Sequence, residues 1–504
     1  MKYKIVTLVT IAVILIVTIF SQGYQAPANR YHQHLAAAPK APCTDHSVET
    51  FCTHLPLMNI VTDGPMPDPY LRDHENHPIY QSNGLGYRNN ETVPAAVEFF
   101  DSPTENNHLT DTPTVRERAV IRIRGNSSRN FDKKSYLLKF KENNLVDNKD
   151  VSLAGLVADS DWVLHGPIMD RTLIRNYLCY NLAGEIMEYS PNVRFMELFL
   201  NGEYMGVYLL IEKINYNSNG RIQLTPTDPK MAATSFILRL DAADTDELHQ
   251  LNTFCDFSGK RGVPERWYRH FEIRYPAATL TKEQKQYISY EISAFEKALL
   301  SFDSADPKKG YPAYIDVDSF VNYWLLNEFT MNVDAGNLST YFCKDIRGKL
   351  KIIGWDYNNV FDNYILEIPH SFYIDNIWYL TLMRNREFVD LLIKRYHHLR
   401  ETYFSDAYLL NYIDETVAYL GDAIDRNYQK WGYCFDLENI KPYDQNQVDQ
   451  EYLIPLSRNP KSYEESLQML KDTIVEHGAF LDKTIETLYA QCHDSANKQF
   501  RLQD

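Results

Sequence analysis

Positive charge is what this sequence is short of. Its 504 residues hold 51 Lys and Arg against 67 Asp and Glu, a formal net charge of −16. A nucleic-acid binder needs a basic face. The balance therefore argues against nucleic acid as a partner, and a polyanionic nucleotide would need local cations or a metal to hold it. Cysteine is scarce too: Cys43, Cys52, Cys179, Cys255, Cys343, Cys434 and Cys492 are widely spaced, and no C-x-x-C occurs. That leaves no zinc ribbon and no dithiol redox motif. It leaves open whether Cys43 and Cys52 pair in an oxidising compartment. Neither G-x-G-x-x-G nor the Walker pattern is present, which removes the two common phosphate fingerprints. No internal repeat is visible, and nothing points to the carboxylate pair of a sugar-cleaving groove.

What is present is a globular composition, 44% hydrophobic and 13% aromatic with 36 tyrosines. The N-terminus has Lys2 and Lys4, then an uncharged, mostly apolar run from Ile5 to Phe20. As a helix these residues reach roughly 24 Å, short for a bilayer core and long for a signal-peptide apolar region. Residues 1–22 read either as a cleaved signal, with Ala26 and Ala28 offering a cleavage site, or as a retained anchor. Both readings export the rest of the chain, as a membrane-anchored, secreted or envelope protein. Residues 23–50, rich in Ala, Pro and His, read as a linker.

Periodicity then predicts the elements. "LPLMNIVTD" reads as a strand, and residues 66–112 as a long loop with short strands. "RAVIRIRGNSSRNFDKKSYLLKF" reads as a hairpin, with Ile121 and Ile123 on one face of its first strand. Tyr136, Leu138 and Phe140 share one face of its second. A helix follows "DRTLIRNYLCYNLAGEIM", with Asp170 as its expected N-cap. Asn201-Gly202 marks a tight hairpin. "SFILRLD" reads as a strand, residues 281–303 as a helix, and another helix starts near Asp316. Strands near 338–344 and 350–354 flank Gly348, and residues 376–490 are largely helical. Strands and helices do not alternate as βαβ, so the fold class is α+β.

The stretch "TMNVDAGNLSTYFCKDIRGKLKIIGWDYNNVFDN" carries the chemistry. Asp334 and Asn337 precede its first strand, and Asp356 follows its second. An antiparallel pairing would bring these ends together. Metal-dependent phosphoryl transfer needs such a set: one carboxylate by the acceptor hydroxyl, and oxygen ligands for a magnesium ion on the phosphates. The same residue types also serve as ordinary turn and cap residues, and spacing leaves both readings open. The "RGNSSR" tip, near Arg124, Arg129, Lys133 and Lys134, has backbone donors and charge suited to phosphate, or is simply a polar turn.

"RIRGNSSRNFDKKSYLLKF", "DWVLHGPIMDRTLIRNYLCYNLA", "RFMELFLNGEYMGVYLLIEKI" and "GWDYNNVFDN" together resemble the CotH (spore coat protein H) kinase family, from about residue 50 to about residue 490. The resemblance implies an atypical protein kinase of divergent kinase-like fold. It would use ATP and Mg2+ or Mn2+ to phosphorylate Ser or Thr of a protein substrate. It implies a strand-rich nucleotide-binding lobe over 51–240 and a mostly helical lobe over 241–504. Asp334 takes the catalytic place, with Asn337 beside it. Asp356, Asn337 and Asn358 take the metal. Gly125, Asn126, Ser127, Ser128 and Lys134 face the phosphates, with Lys133 and Lys139 as rival lysines, and Glu212 falls at the hinge. The helix with Arg175 and Asn176 packs behind the site. One departure matters: the family's second Asp of the "WD" element is Asn358 here, and Asp362 stands where a Gly is usual. Asp362 is the residue to compensate the lost charge. Without compensation the alternative is an inactive pseudokinase serving as an envelope or surface binding protein.

Overall fold

Alternating side chains build the first layer. Ile60, Val97, Ile121, Leu138, Phe140, Trp162, Leu164, Leu198 and Leu210 pack into one buried core. They come from seven strands of the computed structural model: β1 Leu57–Thr62, β2 Val93–Phe100, β3 Val115–Arg124, β4 Ser135–Lys141, β5 Asp161–His165, β6 Val193–Leu200 and β7 Glu203–Glu212. The strands close into a barrel in the order β1-β2-β3-β4-β5-β7-β6. Neighbours are antiparallel except at the seam, where β1 and β6 run parallel from Leu57↔Glu197 to Ile60↔Leu200. Closure removes the sheet edges. Asn201 (φ 53°) and Gly202 (φ 80°) make the β6–β7 turn with two left-handed residues, the two-residue hairpin that the sequence announces.

The structure describes residues 32–41, 51–79, 86–125, 127–217, 220–241, 248–258, 270–363, 368–373, 378–436 and 459–493. The apolar N-terminal run, Cys43 and Asn126 lie outside them. Among the described residues no helix is long and apolar enough to cross a membrane. Cys52 is disulfide-bonded, whereas Cys179, Cys255, Cys343, Cys434 and Cys492 are free thiols.

The outer face of the barrel is buried as well. Leu137, Val163, Val193, Phe195, Leu209 and Ile211 pack into a second, larger core. This is why all eight residues of β6 are buried. The second core holds helix α1, Arg175–Ile186, and a five-stranded sheet: β8 Phe236–Leu240, β9 Gln250–Leu251, β10 Phe271–Tyr275, β11 Thr340–Lys344 and β12 Lys351–Ile353, in the order β9-β10-β8-β11-β12. Among the described residues six helices of ten residues or more follow or interleave: α2 Lys282–Leu299, α3 Val317–Phe329, α4 Arg386–Arg400, α5 Asp406–Leu420, α6 Asp422–Trp431 and α7 Tyr463–Thr484. The α+β class holds, with strands concentrated early and helices late. Thr281 starts α2 with a full capping box on Gln284, and Asp316 starts α3 by accepting the Ser319 N–H.

Four expectations need correction. A boundary at 240/241 would cut the second sheet, because β8 is its central strand and its partners lie beyond residue 249. The 66–112 stretch contains β2, a full eight-residue barrel strand. Residues 32–41 are no free linker: Gln33 is buried and holds Phe195 from both sides, accepting its N–H at 2.6 Å and donating to its carbonyl at 3.1 Å. Asp170 is not the N-cap of α1. It sits a turn upstream and caps from there, its Oδ2 accepting the Arg175 N–H at 2.7 Å.

Helix α6 returns to the barrel and locks it. Asn427 Oδ1 accepts from Lys133 Nζ at 2.6 Å and from the Val207 N–H at 3.1 Å. Gly206 is required there: its φ is +91°, and an added Cβ would stand 2.5 Å from Asn427 Oδ1. Beside it the Arg426 guanidinium clasps Glu197 with two bonds, at 2.9 and 2.7 Å, both side chains buried.

Candidate active site

Helix α3 fixes the position of Asp334. Every residue from Phe320 to Phe329 is buried, so the helix is held on all sides and the turn after it is delivered to one place. β11 and β12 then pair antiparallel, Tyr341 opposite Ile353. The hairpin brings its outer ends together. Ser339 Oγ lies 3.5 Å from Asp356 Oδ2, and Asn359 Nδ2 donates to Asp334 Oδ2 at 3.1 Å.

The loop after β12 is gripped by α1. Asn176 and Tyr180, one turn apart on that helix, take successive amides: Asn176 Oδ1 accepts the Tyr357 N–H at 2.9 Å and Tyr180 Oη accepts the Asp356 N–H at 3.1 Å. Arg175 Nε adds a bond to the Val360 carbonyl at 3.1 Å, and its Nη1 pairs with buried Asp170 at 2.8 Å. On its other side Asn176 Nδ2 donates to His165 Nε2 at 3.0 Å, at the end of β5. Burial pushes the His165 imidazole down to about 3, so the ring is neutral and can accept. The grip holds Asp356 at φ +68°, a left-handed backbone that a non-glycine residue rarely adopts. Met331, Ser339, Phe361 and Asp362 around it also have positive φ. Such strain gathers where surrounding structure imposes a functional geometry.

Electrostatics single out the same place. Asp356 is exposed at its surface yet crowded by surrounding protein. Burial pushes its carboxyl up to about 6, with Asp334 and Asp241 adding and Arg124 opposing. Burial also raises Asp334, opposed by the Asn359 bond and helped by Asp241. No sequence motif marks Asp241. Register explains its place: Leu240, the last residue of β8, pairs with Thr340, so the residue after the strand falls opposite Ser339. Its strand-end position in "SFILRLD" was the available signal.

The barrel carries cations on its outer face, and one of them, Arg124, acts on Asp356. Arg122, Arg124 and Lys139 alternate with the barrel-core residues Ile121, Ile123 and Leu138, and so stand on the outer face. Arg124 lies over the Trp355 ring at 5.7 Å. Burial lowers Arg122 to about 10, with Arg124, Arg88 and Arg274 adding to the effect. Lys139 and Lys213 both pair with Asp161, Lys139 at 3.2 Å.

The remaining sequence candidates lie as follows. Gly125 opens the hairpin tip at φ +109°, where a Cβ would meet Ser128 Oγ at 1.8 Å. Ser127 and Ser128 form a 3-10 turn with Arg129 and Asn130. Arg129 packs the tip by donating to the carbonyls of Gly125, Pro69 and Asn89 at 2.8, 2.6 and 2.8 Å. Lys134 Nζ donates to the Arg129 carbonyl at 2.7 Å, and buried Lys133 turns to Asn427. Glu212 pairs with Arg221 at 2.6 Å and accepts the Asn192 N–H at 2.8 Å. Asn337 closes the Asp334 turn, its N–H donating to the Asp334 carbonyl at 3.2 Å. Asn358 Nδ2 donates to Asn359 Oδ1 at 3.0 Å. Asp362 Oδ1 accepts the Ile368 N–H at 3.1 Å.

Among the described residues no set of three or more His, Cys, Asp or Glu side chains is arranged to hold a metal alone. Magnesium needs less, since one or two carboxylates plus substrate phosphates suffice. Burial raises Asp356 most, and the like charge of Asp334 and Asp241 that adds to it is what a bound cation would relieve.

Residues 121–481 match the family described as CotH kinase protein. The chain is also 24% identical over 243 residues to the inner spore coat protein H of Bacillus subtilis (strain 168), a stretch that is 47% of this chain and 57% of that protein. The chain thus spans a little over half of that relative's length. The family match starts inside β3, takes in β4 to β12 and α1 to α6, and ends within α7. On that coverage the chain belongs to the CotH kinase protein family.

Proposed function

We propose that the protein is a metal-dependent phosphotransferase, a divergent protein kinase that moves the γ-phosphate of ATP to a Ser or Thr hydroxyl of a protein. One observation carries this reading. The carboxylates of Asp334, Asp356 and Asp241 act on one another, and Arg124 on the outer face of the barrel acts on Asp356 itself. Phosphoryl transfer needs this pairing of cation-binding carboxylates with fixed positive charge.

Asp356, with the amide oxygens of Asn337 and Asn358, would hold Mg2+ or Mn2+, which when bound neutralises phosphate charge. The barrel-face cations hold the triphosphate. Lys139 is the lysine we favour for this: it is paired with Asp161 at 3.2 Å but keeps a third of its side chain exposed, whereas Lys133 is buried against Asn427 and Lys134 is turned to the Arg129 carbonyl. Asp334 orients the acceptor hydroxyl and takes its proton as the oxygen attacks the γ-phosphorus and the bond to ADP breaks. The relative's name is that of a spore coat protein, and by that likeness we read this protein as envelope-associated. Calorimetric titration of the full chain with ATP and Mn2+ tests the site. Binding that is lost in Asp356→Ala supports it.

Asn358 in place of a second acid favours another reading, a binding protein that has lost catalysis. That reading gains if ATP binds without transfer; a surface protein with no nucleotide role would bind none.

A further inference from the structure

Two adjacent asparagines follow Tyr357, and their amides point in a fixed sequence. Asn358 Nδ2 donates to Asn359 Oδ1 at 3.0 Å, and Asn359 Nδ2 donates to Asp334 Oδ2 at 3.1 Å. An amide has one accepting oxygen and one donating nitrogen. If the Asn359 amide turned over, its oxygen would face the Asp334 carboxylate and its nitrogen would face the Asn358 nitrogen. Both contacts would be repulsive. Only the observed order satisfies all three side chains.

The backbone under them is fixed. The Asn358 carbonyl accepts from Asn363 Nδ2 at 2.6 Å. The Asp334 carbonyl accepts the N–H groups of Asn337 at 3.2 Å and Leu338 at 2.8 Å. Asn176 and Arg175 hold the loop at Tyr357 and Val360. The side chains therefore meet with little freedom to rearrange.

We propose that Asn359 is a positioning residue for Asp334, and that Asn358 acts through it by selecting the amide orientation that Asp334 needs. The proposal rests on the reading of Asp334 as the group at the acceptor hydroxyl. It changes the meaning of the departure from the family pattern. Asn358 is then a required donor, and an acid in its place would break the sequence of bonds. An aspartate at 358 has no N–H to give. It would face the Asn359 oxygen, turn that amide, and present an acceptor to the Asp334 carboxylate. An account in which Asn358 is only a weakened metal ligand requires the opposite: Asn358→Asp adds charge at the metal and raises activity.

The test uses the full chain, γ-labelled ATP, Mn2+ and dephosphorylated casein as acceptor. Asn359→Leu should lower kcat about tenfold to hundredfold, the effect of losing a hydrogen bond to a charged group. The KM for ATP should stay within about twofold, as expected where ground-state binding is untouched. Asn358→Asp should also lower kcat, and the double variant should fall no further than Asn359→Leu alone. A rise in kcat for Asn358→Asp, or an unchanged kcat for Asn359→Leu, overturns the proposal. A thermal double-mutant cycle between Asn359→Leu and Asp334→Leu needs no activity. Non-additive Tm shifts support the contact and additive shifts overturn it. If the wild-type chain neither binds ATP nor transfers phosphate, the kinase reading fails, and the cycle still decides the relation between Asn359 and Asp334.

Discussion

The backbone N–H of Asp356 donates to the phenol oxygen of Tyr180 at 3.1 Å. The bond ties the residue proposed to hold the metal to a helix that packs against the barrel. Removing the oxygen leaves that N–H unpaired and weakens the hold on a left-handed backbone, at a cost of about 1–3 kcal/mol. Tyr180→Phe should lower the transfer rate roughly tenfold or more while far-UV circular dichroism is unchanged. A wild-type rate would separate Tyr180 from the site.

The raised carboxyl of Asp356 has a signed consequence. Its folded value of about 6 lies above its ordinary 3.8, so the folded chain favours the protonated form. That stability is full below about pH 4 and is lost as the pH rises through about 6. Asp356→Asn cannot ionise, so it should melt higher than wild type at pH 7.5, with the gap closing by pH 4. Mn2+ should raise the Tm of wild type at pH 7.5 and leave that of Asp356→Asn unmoved. Scanning calorimetry at both pH values checks the two effects.

The three neighbouring lysines separate by what each already binds. Lys134 Nζ is occupied by the Arg129 carbonyl and Lys133 Nζ by Asn427. Lys139 Nζ pairs with Asp161 at 3.2 Å on the outer barrel face, with its side chain 34% exposed, so a phosphate can reach it by displacing that carboxylate. Lys139→Met should weaken ATP binding about tenfold or more, the worth of a charge-assisted bond. Lys134→Met should change it by no more than about twofold. Titration calorimetry decides, and the reverse order would return the phosphate role to Lys134.

A stability prediction lies away from the site. Arg426 and Glu197 are both buried and joined by two hydrogen bonds. Arg426→Leu strands the Glu197 carboxylate, which should cost about 3–5 kcal/mol, read from urea unfolding. A loss under about 1 kcal/mol would mean that water, together with the Tyr204 hydroxyl that already donates to Glu197, suffices for the charge.

Local signals made much of the fold legible. Asn201-Gly202 turns where its dipeptide says, and Thr281 and Asp316 cap where their helices start. The β11–β12 hairpin follows from its alternation around Gly348. The barrel did not show, because its seam pairs Leu57–Ile60 with strand residues 197–200 across more than a hundred residues, and no local pattern encodes that register. The docking of Gln33 on Phe195 is hidden for the same reason. In the site, Asp334 and Asp356 were readable as the two ends of a hairpin. Asp241 joins them only through the order of the second sheet, and Asn359 only through the loop that α1 holds. The different partners of the three lysines, Asn427 for Lys133, the Arg129 carbonyl for Lys134 and Asp161 for Lys139, needed the closed barrel, since a sequence does not say what each face of a strand meets.

The most direct measurement is transfer of the γ-phosphate label from ATP by the full chain with Mn2+, beside Asp334→Asn and Asp356→Ala. The account predicts transfer by wild type and its loss in both variants, with ATP binding kept in Asp334→Asn. Transfer that survives Asp356→Ala, or a wild-type chain that binds no ATP, would contradict it.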